Sequence, residues 1–276
     1  MRRGKFQKKA PKTPIWYSVL LILLIGLFAY GAGYLADYRI RSREQADDYE
    51  ELASLVEANR PVMTTEPTAA ETIPETEVEI LHTEKEILPE YAPLYQSNPD
   101  MVGWICIEDT KINYPVMQTP DRLDYYLQRN FQGKPSAWGS IYAREECDIE
   151  APSDNITLYG HNAKDGSMFG GLNDYTSRAF WEQHRYIRFD TLKEHHTYEV
   201  FAVFRTTASQ GEGFAYHDFI DGADESEFDA FISQCLSLAL YDTDRIPQYG
   251  DKIICLSTCE YSRTNGRLVV AAVRID

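Results

Sequence analysis

A chain of 276 residues, 43% hydrophobic and 25% charged, has room for one sizeable globular domain with attachments. Its formal net charge of −16 argues against nucleic acid as a partner, because phosphate recognition needs a basic face. The charge is unevenly placed: nine Lys/Arg and one acid precede Glu44, about +8, and everything after it carries about −24.

Residues 1–14 form a basic tail containing Arg2, Arg3, Lys5, Lys8, Lys9 and Lys12. From Ile15 to Ala36, "IWYSVLLILLIGLFAYGAGYLA" runs twenty-two residues without a formal charge. At about 1.5 Å per residue a helix of that length spans about 33 Å, the thickness of a bilayer core. The flanking bases predict a single-pass anchor at the cell membrane, with the N-terminus cytoplasmic and the acidic remainder outside. Trp16, Tyr17, Tyr34 and Tyr38 take the places of interfacial aromatics. A cleaved signal peptide is the competing interpretation, although its apolar core is usually shorter and is followed by a small-residue cleavage site.

Residues 37–86 read as an extracellular stalk or linker. Within it "EQADDYEELASLVEAN" suits a short polar helix, and residues 61–84, rich in Thr, Glu and Pro, bury too little apolar surface to fold alone. The folded domain is expected over 87–276, opening on a short helix that packs Ile87, Leu88, Tyr91, Leu94 and Tyr95. Eight short β-rich runs bounded by turn residues follow: "VGWICI", "INYPVM", "GSIYA", "NITLYG", "RYIRF", "TYEVFAVF", "KIICLST" and "RLVVAAVRI". Eight strands in under two hundred residues predict a mainly β fold, a closed barrel or sandwich in which paired edges remove the hazard of open strands. Helical insertions are expected around "SMFGGLNDYTSRAFWEQH" and over "ADESEFDAFISQCLSLAL", where Phe228, Phe231, Ile232, Cys235, Leu236 and Ala239 share one helical face.

Five cysteines with no C-x-x-C pair leave at least one thiol free and indicate neither a full disulfide framework nor a zinc site. Cys235 falls on the apolar helix face and Cys106 and Cys255 lie inside apolar strands, all three core readings. Cys147, beside Glu145, Glu146 and Asp148, would have its thiolate disfavoured by like charge. Elimination leaves Cys259.

In "KIICLSTC" a period of two puts Ile253, Cys255, Ser257 and Cys259 on one face, with Cys259 where the apolar run stops. Asn265-Gly266 signals a turn and Arg267 opens the last run, so an antiparallel hairpin would bring Cys259 and Arg267 together. A guanidinium there favours thiolate over thiol and offers planar donors to an oxyanion. Strand logic alone equally allows a surface arginine at a hairpin mouth beside a buried cysteine. His161, in "NITLYGHNAKDGSMFGGL", stands at another strand end before a Gly-rich loop; it is either a hydrogen-bonded loop histidine or the proton carrier for a thiol distant in sequence. His82 lies in the stalk, His184, His195 and His196 flank charged segments, and His217 sits in a loop.

"LSTCEYSRTNGR" resembles the Thr-Leu-x-Thr-Cys…Arg signature of sortases, and "TLYGHN" resembles their histidine segment. The likeness is closest to class B and extends through "NPDMVGWICIEDTKINYPVMQ", "DYYLQRNF", "GSIY" and the helix before the last two strands, over residues 88 to 276. It implies a closed eight-stranded sortase-type barrel and a cysteine transpeptidase. Cys259 would attack the threonine carbonyl of a C-terminal sorting motif and hold the acyl part as a thioester. An amine from a cell-wall cross-bridge or a pilin lysine would then resolve it. His161 would act as general acid and base, and Arg267 would bind the developing oxyanion, with Arg263 in the connecting loop as a weaker candidate. Leu127, Thr207, Tyr216, Ser257 and Thr258 fall where class B enzymes line the substrate groove.

The implied partners are surface proteins or pilins carrying a sorting motif, and the chemistry requires no cofactor and no metal. "EECDIEAPSD" lacks the ligand and Gly spacing of an EF-hand loop and reads as a solvated charged loop. Two alternatives stay open: a hydrolytic cell-wall cysteine peptidase, and a non-enzymatic anchored assembly module in which Cys259 is structural.

Overall fold

The computed structural model describes residues 15–61, 86–209, 211–262 and 264–276. It divides into two compact units, Met1–Glu50 and Glu51–Asp276. The first contains most of a continuous helix, α1 (Ile15–Asn59), whose N-terminal part is long and apolar enough to cross a membrane. Its side chains from Trp16 to Leu35 are exposed, as lipid-facing residues would be.

The apolar run and the polar stalk helix are therefore one helix rather than two. No Gly or Pro interrupts the sequence between Ala36 and Asn59, which is rich in Glu, Ala, Arg and Leu, so nothing breaks the hydrogen-bond ladder until Pro61. Within the second unit Leu52 and Val56 are buried, so part of the expected stalk belongs to the folded body. The basic tail and residues 62–85, on which the spacer interpretation rests, lie outside the described residues.

All eight predicted strands are present: β1 (Met101–Cys106), β2 (Asn113–Met117), β3 (Ile141–Ala143), β4 (Asn155–Tyr159), β5 (Tyr186–Thr191), β6 (Thr197–Thr207), β7 (Ile253–Glu260) and β8 (Gly266–Arg274). They close into a barrel in the order β1-β2-β3-β4-β7-β8-β6-β5. Pairing is antiparallel except for β2 with β3 and β4 with β7. Closure leaves no open edge, which is what eight short, apolar strands need in water.

Among the described residues three shorter helices decorate the barrel: α2 (Ala92–Ser97), α3 (Arg178–Gln183) and α4 (Glu225–Leu238). The α4 N-terminus is capped by Asp224, whose side chain accepts from the Glu227 amide at 3.0 Å. Its face of Phe228, Phe231, Ile232 and Cys235 packs on the outward side of β6, β7 and β8, with Phe201, Phe204, Ile253, Cys255, Val269 and Ala271. Because α4 covers that outer side, β7 and β8 are buried on both faces along most of their length. The run of burial stops at Cys259, and that stop defines the rim where the site lies.

Candidate active site

In the β7–β8 hairpin Cys259 stands directly opposite Arg267, and Glu260 opposite Gly266. Opposed residues of an antiparallel pair project to the same face, so the guanidinium reaches the thiol: Arg267 Nη1 lies 3.7 Å from Cys259 Sγ. The same nitrogen donates to the Gly266 carbonyl at 3.1 Å, which limits the side chain's freedom to swing away. Both Cys259 and Arg267 are half-buried, open enough to meet a substrate and shielded enough for a charge to count. Arg263 lies outside the described residues.

His161 arrives at this rim through the parallel β4–β7 ladder, in which Tyr159 pairs with Ser257. The ladder continues one step further, Gly160 N–H donating to Ser257 O at 3.1 Å, and Thr258 Oγ1 donates to Gly160 O at 2.8 Å. Position 160 has no space for a side chain: a Cβ would fall 2.5 Å from Ile141 Cδ1 and 2.7 Å from the Phe169 ring. His161 follows, with Nε2 2.7 Å from the carbonyl oxygen of Leu127. A carbonyl only accepts, so the neutral ring carries its proton on Nε2 and presents a bare Nδ1.

Leu127 belongs to a 3-10 turn, Tyr125–Gln128, and its carbonyl packs against the backbone of Gly139. At Gly139 φ is +60° and a Cβ would lie 2.4 Å from that oxygen, so glycine is required twice over. Of the other groove candidates, Thr207 pairs with Gly266 and bonds through its hydroxyl to Ser209 Oγ (3.1 Å) and Thr264 O (3.2 Å), tying the end of β6 to the β7–β8 connection. Tyr216, Ser257 and Thr258 are buried. Tyr216 Oη and Ser257 Oγ are hydrogen-bonded at 2.5 Å, and burial pushes the Tyr216 phenol up to about 12. These three side chains therefore support the rim from beneath.

Burial raises each of the remaining thiols, three of them enclosed. Cys235 and Cys255 are fully enclosed, and desolvation raises both well above the ordinary thiol range. Cys147 is pushed up to about 11, but burial rather than like charge is the main cause: its side chain is enclosed, Sγ lies 3.5 Å from Asn155 O, and Glu146 contributes less. Cys106, expected in the core, is half-buried; burial again raises its thiol, with Arg188 opposing. His217 is lowered by burial, with Arg144 and Arg267 adding to the effect and Asp218 opposing it.

Asn162 is a residue that sequence reasoning does not single out. It lies beside His161 in "YGHN", and its side-chain Nδ2 donates to the carbonyl of Cys259 at 2.6 Å. Adjacency to the histidine is the signal in the sequence, but the partner lies 97 positions away and only the fold reveals it.

The closed barrel brings a thiol, a guanidinium and an imidazole to one rim. The sortase-domain family model matches residues 105–275, and by this match the chain belongs to the sortase family. Its relatives place it in class B. It is 32% identical to Sortase B of Listeria monocytogenes over 67% of this chain and 74% of that one, and 31% identical to Sortase B of Staphylococcus aureus over 68% and 76%. Among solved structures, sortase B from B. anthracis in complex with AAEK1 aligns with a TM-score of 0.67 at 32% identity, covering 86% of this chain and 99% of that one. A Staphylococcus aureus sortase B–substrate complex aligns at 0.70 and 26% identity with the same coverage, and a Sortase B complexed with triglycine at 0.69 and 26%, covering 85% and 99%. The chain is accordingly a sortase-type cysteine transpeptidase.

Proposed function

We propose that this chain is a membrane-anchored transpeptidase in which Cys259, His161 and Arg267 carry out the reaction. Cys259 passes its thiol proton to His161 Nδ1, Sγ attacks the threonine carbonyl of a C-terminal sorting motif, and the carbonyl oxygen gains negative charge that Arg267 stabilises. The C–N bond then breaks, His161 gives its Nδ1 proton to the departing amine, and a thioester forms. An incoming amine loses a proton to Nδ1, attacks the thioester and forms the new amide, returning Cys259 as thiolate. The observation that carries this proposal is the 3.7 Å approach of Arg267 Nη1 to Cys259 Sγ.

The acyl donor is a surface protein or pilin bearing the motif, and the acceptor is an amine of the wall cross-bridge or of a pilin lysine. The related structures, which include a substrate complex and a triglycine complex, support a peptide donor and an amine acceptor. The N-terminal helix, with the basic tail before it, supports a single-pass anchor with the tail in the cytoplasm and the barrel outside.

The test incubates the full chain in detergent with a library of threonine-containing sorting peptides, with and without triglycine. Ligated product that appears with triglycine, together with a mass adduct on Cys259, is expected. Hydrolysis alone at saturating triglycine would point to a peptidase, and turnover by Cys259→Ala would remove the thiol from the reaction.

A further inference from the structure

We propose that Asn162 is the positioning residue that sets the His161 imidazole against the Cys259 thiol. This rests on the catalytic assignment of those two residues. In the β4–β7 ladder Gly160 N–H serves Ser257 O, so in a continuing parallel ladder the next acceptor, Cys259 O, would fall to residue 162. The backbone turns away here to carry His161 onto the rim. Asn162 bridges the resulting gap with its side chain, Nδ2 to Cys259 O at 2.6 Å.

The amide is itself oriented. Asn173 Nδ2 donates to Asn162 Oδ1 at 2.8 Å and also to Gly170 O at 2.8 Å. Asn162 Oδ1 is thus an acceptor, which leaves Nδ2 to face Cys259. The loop is folded back so that Asn162 bridges Met168, and Phe169 N–H donates to His161 O at 3.0 Å. One side chain therefore links the backbone of the nucleophile to the loop whose first residue is the proton carrier. Thr258 Oγ1 to Gly160 O makes a second side-chain tie between the same two segments, with the donor now on β7.

A displacement of the order of 1 Å between reacting groups can cost about a hundredfold in rate. In the full chain in detergent, assayed with triglycine and the peptide the library selects, Asn162→Ala and Asn162→Asp should lower kcat about 10- to 100-fold with KM within about twofold. Asp keeps the shape and the acceptor but loses the donor. Asn162→Gln retains a donor and should recover part of the rate, and Asn173→Ala should lose about threefold to tenfold by freeing the amide. Thermal unfolding checks that each variant is folded; should Asn162→Ala fail to fold, the isosteric Asn162→Asp decides. Wild-type kcat in Asn162→Asp, or a raised KM at unchanged kcat, overturns the proposal. Loss of turnover in Cys259→Ala alongside unaffected Asn162 variants would sink this inference alone, whereas turnover by Cys259→Ala would sink the catalytic assignment on which it rests.

Discussion

Tyr159 and Ser257 are direct partners in a parallel ladder, and that register decides which two chain segments share the barrel's rim. Because the strands run the same way, the residues after each reach the same end together. His161 and Cys259 both lie two positions beyond this pair. An antiparallel pairing of β4 with β7 would have sent them to opposite ends.

Replacing Arg267 separates charge from geometry. Arg267→Lys keeps a cation but loses the planar fork, and kcat for peptide transfer should fall about a hundredfold, the usual cost of one oxyanion donor. Arg267→Ala should fall further, and Cys259→Ala should abolish turnover. Equal kcat in Arg267→Lys and the parent would show that a point charge suffices.

Alkylation should discriminate among the five thiols. Iodoacetamide reacts with thiolate, and burial raises Cys106, Cys147, Cys235 and Cys255, so at pH 7.5 these are protonated in the folded protein. Peptide mapping after brief labelling should find the adduct on half-buried Cys259 first. Labelling of Cys147 should require either unfolding or a pH approaching 11. First labelling at Cys106 would contradict this order.

The Tyr216–Ser257 hydrogen bond can be isolated by a double substitution. Tyr216→Phe leaves the Ser257 hydroxyl buried without its partner and should destabilise the fold by about 1–3 kcal/mol in urea unfolding. Ser257→Ala added to it removes the orphaned group and should restore part of the loss. Additive losses in the pair would mean that the two side chains act independently.

Gly160 is a steric requirement of the same rim. Gly160→Ala places a Cβ 2.5 Å from Ile141 Cδ1 and should cost about 1–3 kcal/mol as the strand shifts. The shift would carry His161 with it, so kcat should fall more than stability alone explains at a temperature where the variant is folded. A stable variant with full kcat would show that the β4 end moves freely.

His217 predicts an acid limb in stability. Its folded value is lowered below 6.5, so the unfolded chain binds the proton more readily. The stability associated with the neutral ring is present above pH 6.5 and is lost as pH falls through the lower folded value. His217→Gln should flatten that part of a plot of urea midpoint against pH. An unchanged slope below pH 6.5 would assign the acid limb to other groups.

Much of the fold is legible from local patterns. Each of the eight strands is a short apolar run between turn residues, and the α4 face repeats at helical spacing, so period and punctuation suffice to find them. The continuity of α1 is less legible: composition changes at Ala36, but the helical hydrogen bonds follow the absence of breakers and run on to Asn59. At Cys147 the local pattern points to the wrong cause, because neighbours in sequence are acidic while neighbours in space enclose the thiol.

Local sequence is enough to specify the elements, the apolar N-terminal helix, and the facing of Cys259 and Arg267, because a hairpin is a local structure whose register follows from its connection. It takes the folded barrel to bring His161 to them, to let Leu127 assign its tautomer, and to seat Asn162 on the carbonyl of Cys259. Those contacts cross 34 to 97 positions. No periodicity encodes such distances; the Asn162 contact exists because β4 and β7 are parallel neighbours, and the Leu127 contact because the Tyr125–Gln128 turn packs on β3, which pairs with β4.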